Sequence, residues 1–112
     1  MIDKFQKDGA TKTALDVGAG IGRVTRDVLL KKYSNVDMLE VDQKFLDAAD
    51  EFIGEPLNKR LGKKYCVGMQ DFKFEKTYDC IWIQWVISHL PDDDAINFLQ
   101  NCQKNLTENG VI

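Results

Sequence analysis

The sequence predicts an α/β fold with a doubly wound, mostly parallel β-sheet, and three observations predict it. Strand-length apolar runs alternate with amphipathic segments along all 112 residues, the pattern of β-α-β units. A glycine-rich turn joins the first predicted strand to the first predicted helix. The strongest strand signal, Asp79 to Val86, is a nearly continuous apolar run typical of strands buried on both faces. Since the sequence contains neither a repeat nor a linker, we expect one domain over residues 1–112, with helices on both faces of the sheet.

The predicted elements follow in the order β-α-β-α-β-β-α-β. Thr13 to Val17 is the first strand and Val36 to Val41 is the second. The helix after each strand carries apolar residues at helical spacing, and Gly54-Glu55-Pro56 ends the second helix. The predicted inner faces contain Ile21, Val24, Val28 and Leu29 in the first helix, and Phe45, Leu46, Ala49, Phe52 and Ile53 in the second.

The second half of the chain begins with a weak strand signal at Tyr65 to Val67, followed by the strong strand at Asp79 to Val86. Pro91-Asp92-Asp93-Asp94 then opens a helix, with carboxylates at its positive end. Asn109-Gly110 predicts a turn, after which Val111 and Ile112 begin another strand. We therefore expect an unfinished sheet edge that is open to dimerisation. The predicted inner face of the last helix contains Ala95, Phe98, Leu99, Cys102 and Leu106.

Composition argues against a nucleic-acid-binding, disulfide-rich, metal-binding or membrane-spanning protein. The net charge of -3, with basic and acidic residues interspersed, gives no basic field for a nucleic acid. Cys66, Cys80 and Cys102 are odd in number and far apart, so we expect buried thiols rather than disulfides or a metal site. The sequence has neither a signal-peptide core nor a stretch long enough for a membrane span. We expect a cytoplasmic or nuclear location.

The glycine turn is the first candidate for binding. Gly18, Gly20 and Gly22 alternate, and glycine allows a backbone to approach a ligand where a Cβ would collide. Arg23 occupies the position of the third glycine in the dinucleotide fingerprint. The spacing therefore suits a nucleoside-linked amino acid such as S-adenosylmethionine better than NAD, with Arg23 available for a carboxylate. An ordinary turn followed by a solvated arginine is the alternative.

Polar residues also follow the next strands, where ligands bind in open α/β sheets. Glu40 lies about 20 residues past the glycines, the distance at which such folds present a carboxylate to ribose hydroxyls. Asp42 instead fits the N-cap of the second helix. Met69 and Gln70 could bracket an adenine, or Met69 could be a core residue in a turn. Gln84 interrupts an apolar strand, so its amide requires a partner, either a ligand or a neighbouring backbone group.

Trp85 lies at the carboxyl end of the strong strand, and His89 follows that strand. The Trp85 ring could stack against a cationic or proline-containing substrate, with a core position as the alternative. His89 is the single histidine. With an ordinary pKa of about 6.5, it could orient or deprotonate an amine near neutral pH, or it could be structural.

The segments LDVGAGIGR and Gln70-Asp71-Phe72, together with residues 78–90, YDCIWIQWVISHL, closely resemble the protein N-terminal α-amino methyltransferases. The similarity runs from the first strand to Ile112. This resemblance implies a class I methyltransferase fold with a Rossmann-like sheet. It also implies S-adenosylmethionine as cofactor, S-adenosylhomocysteine as product, and a protein N-terminus of the Xaa-Pro-Lys type as substrate.

The resemblance also implies roles for individual residues. Arg23 would bind the methionine carboxylate, Glu40 the ribose, where relatives often have aspartate, and Met69 and Gln70 would flank the adenine. Trp85 and His89 would lie on the substrate side, as implied catalytic residues. The implied cofactor-binding residues are Gly18, Gly20, Arg23, Glu40, Met69, Gln70 and Gln84.

Family members extend beyond this sequence at both ends, and their later strands carry an asparagine and acidic residues that grip the substrate amine. The resemblance therefore implies a methyltransferase fragment, truncated in its C-terminal part. Two alternatives to an N-terminal methyltransferase stay open. One is a cofactor-binding or assembly module without activity, and the other is a methyltransferase that acts on small molecules.

Overall fold

The computed structural model describes residues 12–83 and 92–112, apart from the side chain of Asn109. These residues form a parallel sheet whose strand order is β3-β2-β1-β4-β5. The strands are β1 Thr13–Val17, β2 Asn35–Leu39, β3 Leu61–Tyr65, β4 Tyr78–Ile83 and β5 Leu106–Val111. The helices are α1 (residues 23–32), α2 Gln43–Ile53 and α3 Asp92–Lys104, with single 3-10 turns at Leu57–Arg60 and Met69–Asp71.

Each face of the sheet packs against helices. Side chains alternate along a strand, so Ala14 on β1 contributes to one buried cluster and Leu15 to the other. The cluster that contains Ala14 is completed by α1 and α2, through residues such as Leu29 and Leu46. The cluster that contains Leu15 is completed by α3, through Phe98 and Cys102, and by Phe72. The predicted doubly wound α/β fold is confirmed.

The strongest local signals predicted their elements well. β1 has the predicted bounds, and α2 ends where Gly54 was expected to end it. β4 begins at Tyr78 and is described as far as Ile83, so the predicted continuation to Val86 lies outside the described residues. The prediction of buried thiols is confirmed for Cys80 and Cys102 and is wrong for Cys66, which is exposed in the loop after β3.

Three strand predictions were wrong in their bounds. β3 is Leu61–Tyr65 rather than Tyr65 to Val67. It is an edge strand, and its central residues Lys63 and Lys64 are polar, so it lacks the apolar pattern that predicts a buried strand. β2 ends at Leu39, which leaves Val41 in a loop. β5 begins at Leu106, so the predicted turn at Asn109-Gly110 lies inside the strand, where its pairing with β4 shifts register.

Three predicted inner-face residues are also corrected. Phe45 on α2 and Leu99 on α3 are 44% and 39% exposed, because each lies at the margin of its helix's apolar face. Leu106 lies in β5 rather than in a helix, and it packs against the cluster that contains Leu15. Among the described residues, none of the helices is long and apolar enough to cross a membrane.

All three tyrosines of the chain have pKa values above the ordinary 10.0. Burial and the nearby Cys80 raise the pKa of Tyr33 to about 12. Burial and a hydrogen bond to Glu75 raise the pKa of Tyr65, and burial and a hydrogen bond to Asp37 raise that of Tyr78. In the folded protein, the phenols therefore stay protonated where those of the unfolded chain ionise.

We expect less tyrosinate absorbance at pH 10 in the native protein than in the unfolded chain, with the remaining phenols ionising at higher pH. Because the unfolded chain binds fewer protons than the native state above its own pKa, stability should fall as pH rises beyond about 10. A spectrophotometric titration checks this, with the urea-unfolded chain as the control that titrates near pH 10. Equal tyrosinate absorbance in the native and unfolded chains at pH 10, while near-UV circular dichroism stays native, would contradict it.

Candidate functional site

The loops that follow β1, β2 and β3 meet at one edge of the sheet. The backbone N–H groups of Gly18 and Ala19 both donate to the carbonyl of Leu39, with N···O distances of 2.8 and 3.1 Å. Glu40 N–H donates to Tyr65 O at 3.0 Å. The carboxyl ends of neighbouring parallel strands are where open α/β sheets bind ligands. The sequence analysis placed candidate ligand contacts after four strands. The structure brings the loops after the first three strands together, and the fourth position, Gln84, lies outside the described residues.

The glycine turn holds its shape by backbone conformations that favour glycine. Gly18, Gly20 and Gly22 have φ values of 71°, 60° and 106°. A Cβ on Gly22 would lie 2.9 Å from Ile53 Cδ1 of α2, so an alanine there would force the Ile53 side chain to shift. A Cβ on Gly20 would meet nothing within 4 Å. Gly20 therefore leaves open space at the predicted binding edge.

Glu40 connects the glycine turn to the start of α2. Its Oε1 accepts a hydrogen bond from Gly20 N–H at 2.9 Å, and its Oε2 accepts one from Asp42 N–H at 3.0 Å. Asp42 Oδ1 in turn accepts from Lys44 N–H at 2.9 Å, which confirms Asp42 as the N-cap of α2. Glu40, half-buried, is therefore the carboxylate that faces the glycine turn. Its role toward a ribose stays a prediction.

Asp16 is a site residue that the sequence analysis missed. It is fully buried on β1, two residues before Gly18, and accepts a hydrogen bond from the equally buried Thr25 hydroxyl at 2.6 Å. Thr25 begins a segment of wider π-type winding, Thr25–Leu29, within α1, a feature often found at functional sites. The Asp16–Thr25 bond thus fixes α1 to β1 on either side of the glycine turn. The signal was a lone acidic residue within an apolar strand.

Arg23 is exposed and begins α1 directly after Gly22. In the loop after β3, Gln70 is exposed, and the space beside Gly68 is occupied by the Gln70 amide. Met69 is half-buried and packs against the cluster that contains Leu15, which matches the core position left open above. Its contact with an adenine stays a prediction.

The sequence analysis also missed the position of Val41 at this edge. It assigned Val41 to the second strand, but the residue lies in the loop after β2, 70% exposed beside Glu40. Its carbonyl accepts a hydrogen bond from the Cys66 thiol at an S···O distance of 3.5 Å, which joins the loops after β2 and β3. Gln84, Trp85 and His89 lie outside the described residues.

A family model described as AdoMet dependent proline di-methyltransferase matches residues 1–112. The chain belongs to this family. A curated relative, the N-terminal Xaa-Pro-Lys N-methyltransferase 1-B of Xenopus laevis, is 47% identical over 99% of this chain and 52% of its own length. The alpha N-terminal protein methyltransferase 1 of Dictyostelium discoideum is 54% identical over 88% of this chain and 37% of its own length. This family member therefore spans about half the length, or less, of the curated relatives it matches.

Solved structures share the fold of this chain. A SAM-dependent methyltransferase of Leishmania major aligns with a TM-score of 0.82 at 38% identity, covering 91% of this chain and 41% of that one. A glycopeptide N-methyltransferase complexed with S-adenosyl-L-methionine aligns with a TM-score of 0.74 at 20% identity. That likeness covers 97% of this chain and 50% of the other, and it shows the fold alone. The predicted Rossmann-like class I methyltransferase fold is confirmed.

Proposed function

We propose that this chain forms the S-adenosylmethionine-binding part of an enzyme that methylates the α-amino group of protein N-termini of the Xaa-Pro-Lys type. The observation that carries the proposal is the meeting of Glu40 with the glycine turn at the carboxyl edge of the sheet. Membership of a family described by AdoMet-dependent proline dimethylation supports the chemistry. The curated relatives are named as N-terminal Xaa-Pro-Lys N-methyltransferases, which supports the Xaa-Pro-Lys substrate.

The described residues fit an adenosyl ligand. Open space faces Gly20, so a ligand can approach the backbone there. A carboxylate oxygen has about two acceptor positions, and each oxygen of Glu40 accepts one backbone hydrogen bond. The remaining acceptor positions are available to ribose hydroxyls. The exposed cation of Arg23, one residue past the glycines, suits the carboxylate of the methionine portion.

S-adenosylmethionine, when bound, supplies an electrophilic methyl group. The protein then has to present a neutral amine in line with it, and alignment supplies much of the acceleration. An α-amino group has a pKa of about 7.7–8.0, so a base has only a modest deprotonation to assist. We assign orientation or deprotonation of the amine to His89 and part of the peptide channel to Trp85, as the family resemblance implies. A cytoplasmic or nuclear location also remains our prediction.

Binding tests the first half of the proposal. We expect S-adenosylhomocysteine to bind the chain in isothermal titration calorimetry and Glu40→Gln to weaken binding about tenfold or more. The amide nitrogen of glutamine cannot accept, so one of the two backbone bonds is lost together with the charge. Glu51→Gln is the matched control, since Glu51 is exposed on α2. Equal affinities of the two variants would contradict the role of Glu40.

Methyl transfer tests the second half. The chain is incubated with S-adenosylmethionine and a peptide that begins Xaa-Pro-Lys, and the same peptide with an acetylated N-terminus is the control. We expect mass spectrometry to place methyl groups on the free α-amine and none on the acetylated peptide. Methylation of the lysine side chain would overturn the assignment. Binding without transfer would favour the cofactor-binding module, and transfer only to small amines would favour a small-molecule enzyme.

A further inference from the structure

The crossover between β3 and β4 has an unusual construction. In the described structure, the chain between Tyr65 and Tyr78 contains only one 3-10 turn, Met69–Asp71, and otherwise coil. Side-chain contacts hold this segment instead of helical hydrogen bonds. We call residues 63–65 and 72–76 the stem, because contacts join these two stretches, and residues 66–71 the tip, because they lie between the stretches.

The base of the stem is the carboxylate of Asp37 on β2, whose side chain is 4% exposed. Its Oδ1 accepts from the backbone N–H of Lys63 at 2.8 Å. Its Oδ2 accepts from Tyr78 OH at 2.7 Å and pairs with Lys76 Nζ at 2.9 Å. Both ends of the segment from Lys63 to Lys76 are therefore fixed to one buried group.

Three further contacts close the stem toward the tip. Glu75 Oε1 accepts from Lys63 Nζ at 2.9 Å and from Tyr65 OH at 3.1 Å. These two donors, Lys63 first, hold the pKa of Glu75 below its ordinary value, so the carboxylate is ionised at neutral pH. The rings of Tyr65 and Phe72 then meet edge to face, with centroids 4.9 Å apart. Tyr65 and Phe72 immediately flank the tip.

The tip lies at the candidate cofactor edge. It contains Met69 and Gln70, which the sequence analysis assigned to adenine, and the Cys66 thiol donates to Val41 O beside Glu40. Within the tip, Asp71 N–H donates to Gly68 O at 3.1 Å. That bond shapes the turn. The Cys66–Val41 hydrogen bond and the packing of Val67 and Met69 against the cluster that contains Leu15 tie the tip to the sheet, and the stem holds the residues on either side of it.

We propose that the stem is a positioning element for nucleobase recognition, which holds the tip so that it selects adenine although no stem residue touches the ligand. The inference rests on the proposed function, because it requires an adenosyl ligand at this edge. A site built to hydrogen-bond one base rejects a base that lacks the matching groups. If the tip is displaced, adenine loses those hydrogen bonds and the preference for it falls.

The test compares the affinity of S-adenosylhomocysteine with that of S-inosylhomocysteine, which differs only in the base. Tyr65→Leu removes both the Glu75 hydrogen bond and the ring contact. Lys76→Gln is the milder variant, because it removes only the cation from Asp37. Lys64→Gln is the matched control. Although Lys64 lies within the stem range, its side chain pairs with Asp50 of α2 at 2.7 Å rather than with another stem residue.

We expect the unaltered chain to prefer S-adenosylhomocysteine, Tyr65→Leu to reduce that preference about tenfold, and Lys76→Gln to reduce it less. Lys64→Gln should leave the ratio unchanged. A merely structural role would lower the melting temperature without changing the ratio, and that result overturns the inference. If Tyr65→Leu does not fold, the affinity ratio of Lys76→Gln is the test: a reduced ratio supports the inference, and an unchanged ratio overturns it. Absence of S-adenosylhomocysteine binding by the unaltered chain would instead show that the proposed function itself fails.

Discussion

Gly20→Ala is expected to abolish most S-adenosylhomocysteine binding while the fold survives, whereas Gly22→Ala is expected to destabilise the fold itself. The two glycines are two residues apart and both have positive φ values, 60° and 106°. Their surroundings differ. A Cβ on Gly20 projects into open space, and a Cβ on Gly22 would lie 2.9 Å from Ile53 Cδ1 and 3.3 Å from Met38 Cε.

The expected magnitudes follow from these surroundings. Alanine in the left-handed region costs about 1–2 kcal/mol, which the fold should tolerate at Gly20. At Gly22, the less accessible φ and the overpacking of Ile53 each cost about 1–3 kcal/mol. Urea denaturation should therefore show a clearly larger loss for Gly22→Ala. The affinity loss at Gly20, by contrast, arises because the new methyl group occupies space that the ligand needs.

Gly54→Ala is the control for backbone strain. Gly54 also has a positive φ, 77°, with nothing within 4 Å of an added Cβ, but it ends α2 instead of facing the site. We expect Gly54→Ala to lose stability and to keep its affinity for S-adenosylhomocysteine. Should Gly20→Ala bind as tightly as Gly54→Ala, the open space at Gly20 is not where the ligand lies.

Local sequence patterns were sufficient for the parts of the fold and site that depend on near neighbours. The β1 strand, the glycine turn and the start of α2 lie within continuous stretches, so strand length, glycine spacing and N-cap chemistry could be read directly. Glu40 and Asp42 could be given different roles because Glu40 lies about 20 residues past the glycines, whereas Asp42 directly precedes the second helix. The structure agrees, with Glu40 facing Gly20 and Asp42 capping α2.

Contacts between distant residues could not be read in the same way. Asp37 holds Lys63 and Tyr78, which are 26 and 41 residues away, and the sequence around Asp37 gives no indication of either partner. β3 was misplaced because an edge strand with two central lysines lacks the apolar pattern of a buried one. β5 was misplaced because a shift in strand pairing accommodates a dipeptide that ordinarily predicts a turn.

Gly62→Ala is expected to destabilise the protein by about 2–4 kcal/mol, although Gly62 is exposed on an edge strand. A Cβ at this position would clash directly with Asp37 Oδ1. The carboxylate cannot easily move aside, because Lys63 N–H, Tyr78 OH and Lys76 Nζ hold it. Relief of the clash therefore requires the loss of at least one hydrogen bond to a buried carboxylate.

Gly68→Ala is the matched control, measured by the same urea denaturation. A Cβ on Gly68 would also meet a polar side chain closely, 2.9 Å from Gln70 Oε1. Gln70 is exposed, so its amide can rotate away, and alanine reduces the conformational freedom of the unfolded chain. We expect Gly68→Ala to change stability by no more than about 0.5 kcal/mol. Equal losses at the two glycines would mean that Asp37 is not held rigidly, which would also remove the base on which the stem depends.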